Sequence, residues 1–116
     1  MLILEPSIDQ VFTIVEVEMS ISLAHPGQTQ RLGFRTKDAG GSYADATSLS
    51  IVVKDPTNTQ RVAYDEDNLS NAGVGDYSYV FDVPDVVVDG EWHIEVSATD
   101  ADGTDIRYIY FSVEDS

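Results

Sequence analysis

Residues 73–98 read GVGDYSYVFDVPDVVVDGEWHIEVSA, and this stretch decides the fold. Tyr77, Tyr79, Phe81 and Val83 alternate with Ser78 and Asp82, and Trp92, Ile94, Val96 and Ala98 alternate with His93, Glu95 and Ser97. A period of two over such runs marks half-buried β-strands, because successive side chains leave opposite faces of a sheet. The single Trp of the chain lies here, with two of the six Tyr and one of the four Phe. The two strands are therefore expected at the centre of the core.

The remaining chain repeats the pattern. From Val11 to Ala24 the apolar residues Val11, Val15, Val17, Met19, Ile21 and Leu23 fall on one face, with Glu16, Glu18, Ser20 and Ser22 on the other. Fourteen extended residues span roughly 46 Å, about twice an ordinary strand, so this segment must bend, switch sheets or project from the body. Phe12 and Ile14 make its first part apolar on both faces, which predicts cover on both sides. His25-Pro26-Gly27 predicts a turn, residues 28–37 a strand with Leu32 and Phe34 inward, and residues 38–47 a loop. Leu49, Ile51 and Val53 mark a further strand, closed by a type I turn at Asp55-Pro56-Thr57-Asn58, and residues 60–64 a short one. Residues 65–75 read as a polar, Gly-rich connection. In the last strand, 106–113, Arg107, Ile109, Phe111 and Val113 share one face and Ile106, Tyr108 and Tyr110 the other. Some seven strands with turns every 8–12 residues predict an all-β, immunoglobulin-like antiparallel β-sandwich with an N-terminal extension. The expected core is Leu32, Phe34, Ile51, Val53, Tyr77, Phe81, Trp92, Ile94, Val96, Phe111 and Val113.

At 116 residues the chain suits one domain. It has no Cys, which removes disulfides, thiol catalysis and most structural zinc schemes. Met1-Leu2-Ile3-Leu4 is too short for a signal sequence, and no run approaches membrane-spanning length. With 21 Asp and Glu against 6 Lys and Arg the net charge is −15, most of it in residues 65–116. A basic partner explains such a balance, and so does a high-salt habitat, where the Debye length falls to about 3 Å. The acids are dispersed over many turns and strand faces, which favours the habitat. Nucleic-acid binding is disfavoured for want of a basic stripe.

The order Pro26-Gly27-Gln28, Asp38-Ala39-Gly40 and Leu49-Ser50-Ile51-Val52-Val53-Lys54-Asp55-Pro56 precedes Gly75-Asp76-Tyr77, Gly90-Glu91-Trp92, Ala98-Thr99-Asp100 and Phe111-Ser112-Val113. This pattern resembles the small immunoglobulin-like structural proteins of tailed phages and tailed archaeal viruses over residues 26–114. It is also similar to many surface immunoglobulin-like modules of bacteria and archaea. Together with the acidity, the resemblance implies a virion protein of a virus infecting a halophilic archaeon, assembled in the host cytoplasm.

Residues 100–105 (DADGTD) place Asp100, Asp102 and Asp105 around a glycine. Ca²⁺ takes 6–8 oxygens, more than this loop holds, and the same residues suit a tight hairpin. Alternating strand directions bring loops 38–47, 65–75 and 100–105 to one end, with Asp38, Asp45, Asp65, Glu66 and Asp67 beside them. That acidic end is read as a solvated face in high salt, with a Ca²⁺ site as the alternative. His25 and His93 have no second ligand at metal spacing, and no Gly-x-Ser-x-Gly elbow exists, so an enzyme is not expected.

Partner contact is expected elsewhere. Leu2, Ile3, Leu4, Ile8, Val11, Phe12 and Ile14 load residues 1–15 with apolar side chains, which predicts an assembly arm ahead of a sandwich over 16–116. Tyr108 and Tyr110, with His93, Val52 and Lys54, are expected on an outer sheet face of contact-surface composition. The leading reading is a capsid-decorating or head-associated protein bound to the major coat protein or other virion subunits, and homo-oligomeric in the assembly. The alternative is a carbohydrate- or receptor-binding module of a virus or archaeal cell surface. Such a module needs loop aromatics, and Tyr43 is the exception among loops that otherwise hold few.

Overall fold

A computed structural model describes residues 12–85, 89–101 and 103–114. Nine strands form two sheets: β1 (Thr13–Met19), β2 (Leu23–Ala24), β3 (Thr29–Lys37), β4 (Ser48–Lys54), β5 (Gln60–Val62), β6 (Leu69–Gly73), β7 (Asp76–Asp82), β8 (Gly90–Asp100) and β9 (Gly103–Val113). One sheet runs β1-β3-β7-β6 and the other β2-β9-β8-β4-β5. All pairs are antiparallel except β2 with β9. The four-against-three order of an immunoglobulin sandwich is present, with β2 and β5 added to the second sheet.

The core is the meeting of the two inner faces. Every residue expected there is buried, and Tyr79, Val83, Ala98, Ala24, Phe12 and Ile14 join them. Aromatic rings run through it in sequence: Tyr64 on Tyr79, Tyr79 beside Phe81, Phe81 beside Phe111, and Phe111 beside Trp92, with centroids 5.7–6.2 Å apart. These are spacings at which tilted and offset rings attract beyond simple burial.

The long N-terminal segment switches sheets. β1 pairs with β3 as far as Met19, and the chain then crosses to lie beside β9 as β2. Gln30, fully buried, supplies what the crossing lacks: its Oε1 accepts from Ile21 N–H at 2.9 Å and its Nε2 donates to the Ile21 carbonyl at 2.7 Å. A buried backbone pair without partners would otherwise be costly.

Two expectations about this segment are corrected. Phe12 and Ile14 are 0 % and 1 % exposed in the sandwich's own core, so they cannot contact a partner, and the arm cannot extend to residue 15. The cause is a β-bulge. Val15 faces Arg35 and Glu18 faces Gly33, so β1 holds one extra residue there, with Glu16 at φ 52. The bulge flips the parity of the strand. Even-numbered Phe12 and Ile14 point inward before it, and odd-numbered Val17 and Met19 pack on the core after it. Leu23 was expected inward and is exposed, because in β2 it is Ala24 that faces the core.

Residues 65–75 also depart from the plain connection expected of them. Asp65 caps a 3₁₀ turn at Glu66–Asn68, its carboxylate accepting from Asp67 N–H, and β6 follows as an edge strand on β7. Its residues after Leu69 are small or polar and exposed, so no alternation announces it.

The β4–β5 turn has the expected Asp55–Pro56 start, and Asn58 follows at φ 65. Asp55 is fully buried: Oδ1 accepts from Thr57 N–H, Thr57 Oγ1–H and Thr59 N–H at 2.8, 2.6 and 3.1 Å, and Oδ2 from Arg61 Nε at 2.7 Å. These bonds, that of the Thr57 side chain foremost, hold its carboxyl far below the usual carboxylate range despite burial. A depressed folded pKa means stabilisation present above the unfolded value of about 4 and lost as pH falls. Asp55→Asn should therefore melt well below the wild type at neutral pH. The gap should narrow as pH drops below about 4. A gap independent of pH in thermal melts would show that the charge is not what holds the turn.

Candidate functional site

The outer face of the five-stranded sheet is built by register. Lys54, His93 and Tyr110 lie in one row, Val52, Glu95 and Tyr108 in the next, and Ser50, Ser97 and Ile106 in a third. Below them Leu23 lies beside Ser112. Ile106, Tyr108, Tyr110 and Leu23 are 51, 52, 58 and 48 % exposed. The His93 ring lies 6.0 Å from both tyrosine rings and edge-on to Tyr108. Lys54 and Glu95 cancel each other in a 2.8 Å ion pair. Glu91, exposed opposite Ser112, is a further charge on this face, and Ile106, Tyr108 and Tyr110 form an uncharged, aromatic and aliphatic strip along β9. Tyr108 and Tyr110 stand where the sequence placed them, and Ile106 and Leu23 extend the strip.

The opposite sheet presents a different chemistry. Its outer face carries Glu18, Arg31 and Asp76 around a shallow cleft over Gly33. Arg31 Nε donates to Ser78 Oγ at 2.9 Å. The Arg35 guanidinium stacks 3.6 Å from the centre of the Tyr43 ring, and Lys37 Nζ lies 5.0 Å from it. Tyr43 donates its hydroxyl to the Glu16 carboxylate, a bond that raises the tyrosine pKa. Tyr43, the loop aromatic of the carbohydrate reading, is thereby engaged in fastening loop 38–47 to the β1 bulge. Nothing in the sequence signals this contact, since the bulge that aims Glu16 at Tyr43 has no sequence mark of its own.

At the acidic end the carboxylates of Asp38, Asp45, Asp65 and Asp105 are occupied in bracing the backbone. Asp38 Oδ1 accepts from Gly40 and Ser42 N–H. Asp45 Oδ1 accepts from Gly75 N–H at 2.7 Å and Asn71 Nδ2 at 3.1 Å, which lowers its pKa and ties loop 38–47 to the β6–β7 turn. Gly75 sits there at φ 63, where a Cβ would come within 2.5 Å of the Thr36 carbonyl oxygen. Asp105 Oδ2 accepts from Ile14 N–H at 2.8 Å and Arg107 Nε at 3.0 Å. Asp102 lies outside the described residues, as do Leu2, Ile3, Leu4, Ile8 and Val11. Among the described residues no three acidic, His or Cys side chains gather as a metal site, and no helix is long and apolar enough to cross a membrane.

The surplus of acid predicts a salt response. Self-repulsion at low ionic strength is relieved when added salt shortens the Debye length from about 30 Å at 0.01 M to about 3 Å at 1 M. Melting temperature should rise steeply with KCl. Stabilisation by millimolar Ca²⁺ that KCl of equal ionic strength does not reproduce would instead reveal a cation site.

An immunoglobulin-like β-sandwich is the class that this strand order and core define. Solved structures of the same architecture agree. The chain is similar to a DUF4785 family protein from Legionella pneumophila at a TM-score of 0.66 and 11 % identity, over 91 % of this chain and 29 % of that one. It is similar to the Lin-41 filamin domain at 0.57 and 11 %, over 90 % of this chain and 93 % of that one. It is also similar to an endo-beta-1,4-mannanase from Thermotoga petrophila at 0.57 and 17 %, over 88 % of this chain and 20 % of that one. The chain thus spans less than a third of the first and third of these proteins. At such identities the likeness concerns the fold alone. No protein-family model matches the sequence, and no curated protein matches it either.

Proposed function

We propose that this chain is a structural virion protein of a tailed virus of a halophilic archaeon, a capsid-decorating or head-associated protein that binds the coat lattice through the outer face of β2-β9-β8-β4-β5. The observation that carries the docking half of this reading is the strip of exposed, uncharged Leu23, Ile106, Tyr108 and Tyr110 on a chain of net charge −15. In concentrated salt charge pairs are screened, so recognition there falls to apolar and aromatic contact, and tyrosine supplies large area at small entropic cost. The virion half is supported by the family resemblance of residues 26–114 and by the dispersed acidity.

The test is rebinding. Virus particles stripped of this protein are incubated at high salt with the wild type or with a Tyr108→Ser/Tyr110→Ser variant. The wild type should saturate the particles, and the variant should bind about tenfold or more weakly, as loss of central aromatic contacts does. Equal binding by both proteins would move the docking site elsewhere. Binding to cell-surface polysaccharide in place of particles would favour the carbohydrate-binding alternative.

A further inference from the structure

A sheet edge exposes unpaired N–H and C=O groups, and folded proteins guard such edges with charge, bulges, proline or brevity. Three edges here are guarded. β1 is broken by its bulge and carries exposed Glu16 and Glu18. β6 has five residues and irregular pairing near Gly73, and β5 has three residues.

β9 is different. It pairs with β8 from Gly103 to Val113 without a break in register, yet on its other side β2 covers only Ser112 and Val113. Ser112 N–H donates to the Ser22 carbonyl and Glu114 N–H to that of Ala24, so even-numbered residues turn their backbone groups to that side. By strand alternation Ile106, Tyr108 and Tyr110 do the same, and among the described residues no strand is hydrogen-bonded to that stretch. Their side chains are exposed and uncharged. The charged residues beside them do not guard the edge, because Arg107 is paired with Asp105, which also holds Ile14 N–H.

We infer that this open stretch of β9 is a strand-acceptor site for residues 1–11 of a second copy of the chain. Those residues, MLILEPSIDQV, hold six apolar side chains and two charges. Their exit is fixed by the bond from Ile14 N–H to Asp105, at the start of the open stretch. Eleven extended residues reach about 36 Å, ample for five residues of β9 at about 17 Å. β1 and β9 both run away from this end, so docking on its own β9 needs a sharp reversal just before buried Phe12. Residues 7–11 (SIDQV) offer only Ser7 and Asp9 as turn formers, with neither Gly nor Pro to fix the backbone angles. A second copy needs no reversal. Pro6 has no N–H and must turn away from β9, so the bonds fall to odd-numbered Ile3, Glu5, Ser7 and Asp9. The inference does not depend on which partner the tyrosine strip takes, since strand addition uses the backbone of β9.

The experiment is sedimentation of the full chain in molar KCl, without virus particles. Average mass should rise with concentration, and a synthetic peptide of residues 1–11 should return it to the monomer. The same peptide N-methylated at Ile3 and Ser7 should lose that effect at least tenfold, whereas N-methylation at Leu4 and Ile8 should preserve it. Tyr108→Pro removes an N–H that β8 does not use and should remain monomeric, while Tyr108→Ala still associates. If Tyr108→Pro fails to fold, the methylated peptides decide alone. A monomer at every concentration overturns the inference. Equal potency of the two methylated peptides does so as well.

Discussion

Trp92→Ala should lower stability by about 3–5 kcal/mol, as removal of the largest side chains from packed cores does, and the melting temperature by roughly 15–30 °C. Trp92 is fully buried and lies beside Phe111 at 6.2 Å, at one end of the run of rings through Phe81 and Tyr79 to Tyr64. Its ring neighbour Phe111 on β9 in turn meets Phe81 on β7 of the other sheet, so the cavity left by alanine opens beside the aromatic contact that joins the two layers. Closing it requires the backbone at position 92 to sink into the core, which the pairing of β8 with both β4 and β9 resists. Chemical denaturation at fixed high salt measures the loss. An unchanged midpoint would show that the two sheets are not held together at this point.

Phe12→Ala should be nearly as damaging, by about 3 kcal/mol or more. Phe12 is 0 % exposed, and Ile14 beside it is 1 % exposed with its N–H held by Asp105. The consequence for truncation is sharp. Removing residues 1–11 should leave a cooperative melt, because Phe12, Ile14 and all the other described core residues are retained. Removing residues 1–15 should abolish it. Similar melts for the two truncations would mean that β1 before its bulge is dispensable, against its position in the core.

The parts of this fold legible in the sequence are those where alternation is unbroken. β7, β8 and β9 keep one parity from end to end, so their inward and outward residues, Tyr108 and Tyr110 included, followed from spacing alone. β1 does not keep it. A single extra residue at Glu16–Val17 reverses the parity, and a strand apolar on both faces looks the same in sequence as one apolar on alternate faces with a bulge. The boundary of the N-terminal arm was misplaced by that ambiguity. β6 was missed because an exposed edge strand of small and polar residues after Leu69 offers no periodic apolar signal. The acids of loops 38–47 and 65–75 were visible as a cluster in sequence. Their use was not, because Asp45 is satisfied by Asn71 and Gly75, far along the chain. Leu23 joined the strip only because the chain switches sheets between Met19 and Leu23, an event whose necessity was evident from length but whose place was not.

The docking face is the claim on which the functional reading rests, and site-specific cross-linking tests it most directly. A photoreactive phenylalanine is placed at Tyr110, on the exposed strip, or at Ser78, on the outer face of the other sheet, and each protein is rebound to stripped particles at high salt and irradiated. The account predicts a covalent adduct with the coat protein from position 110 and none from position 78. An adduct from position 78 alone, or none from either with the protein still particle-bound, would contradict it.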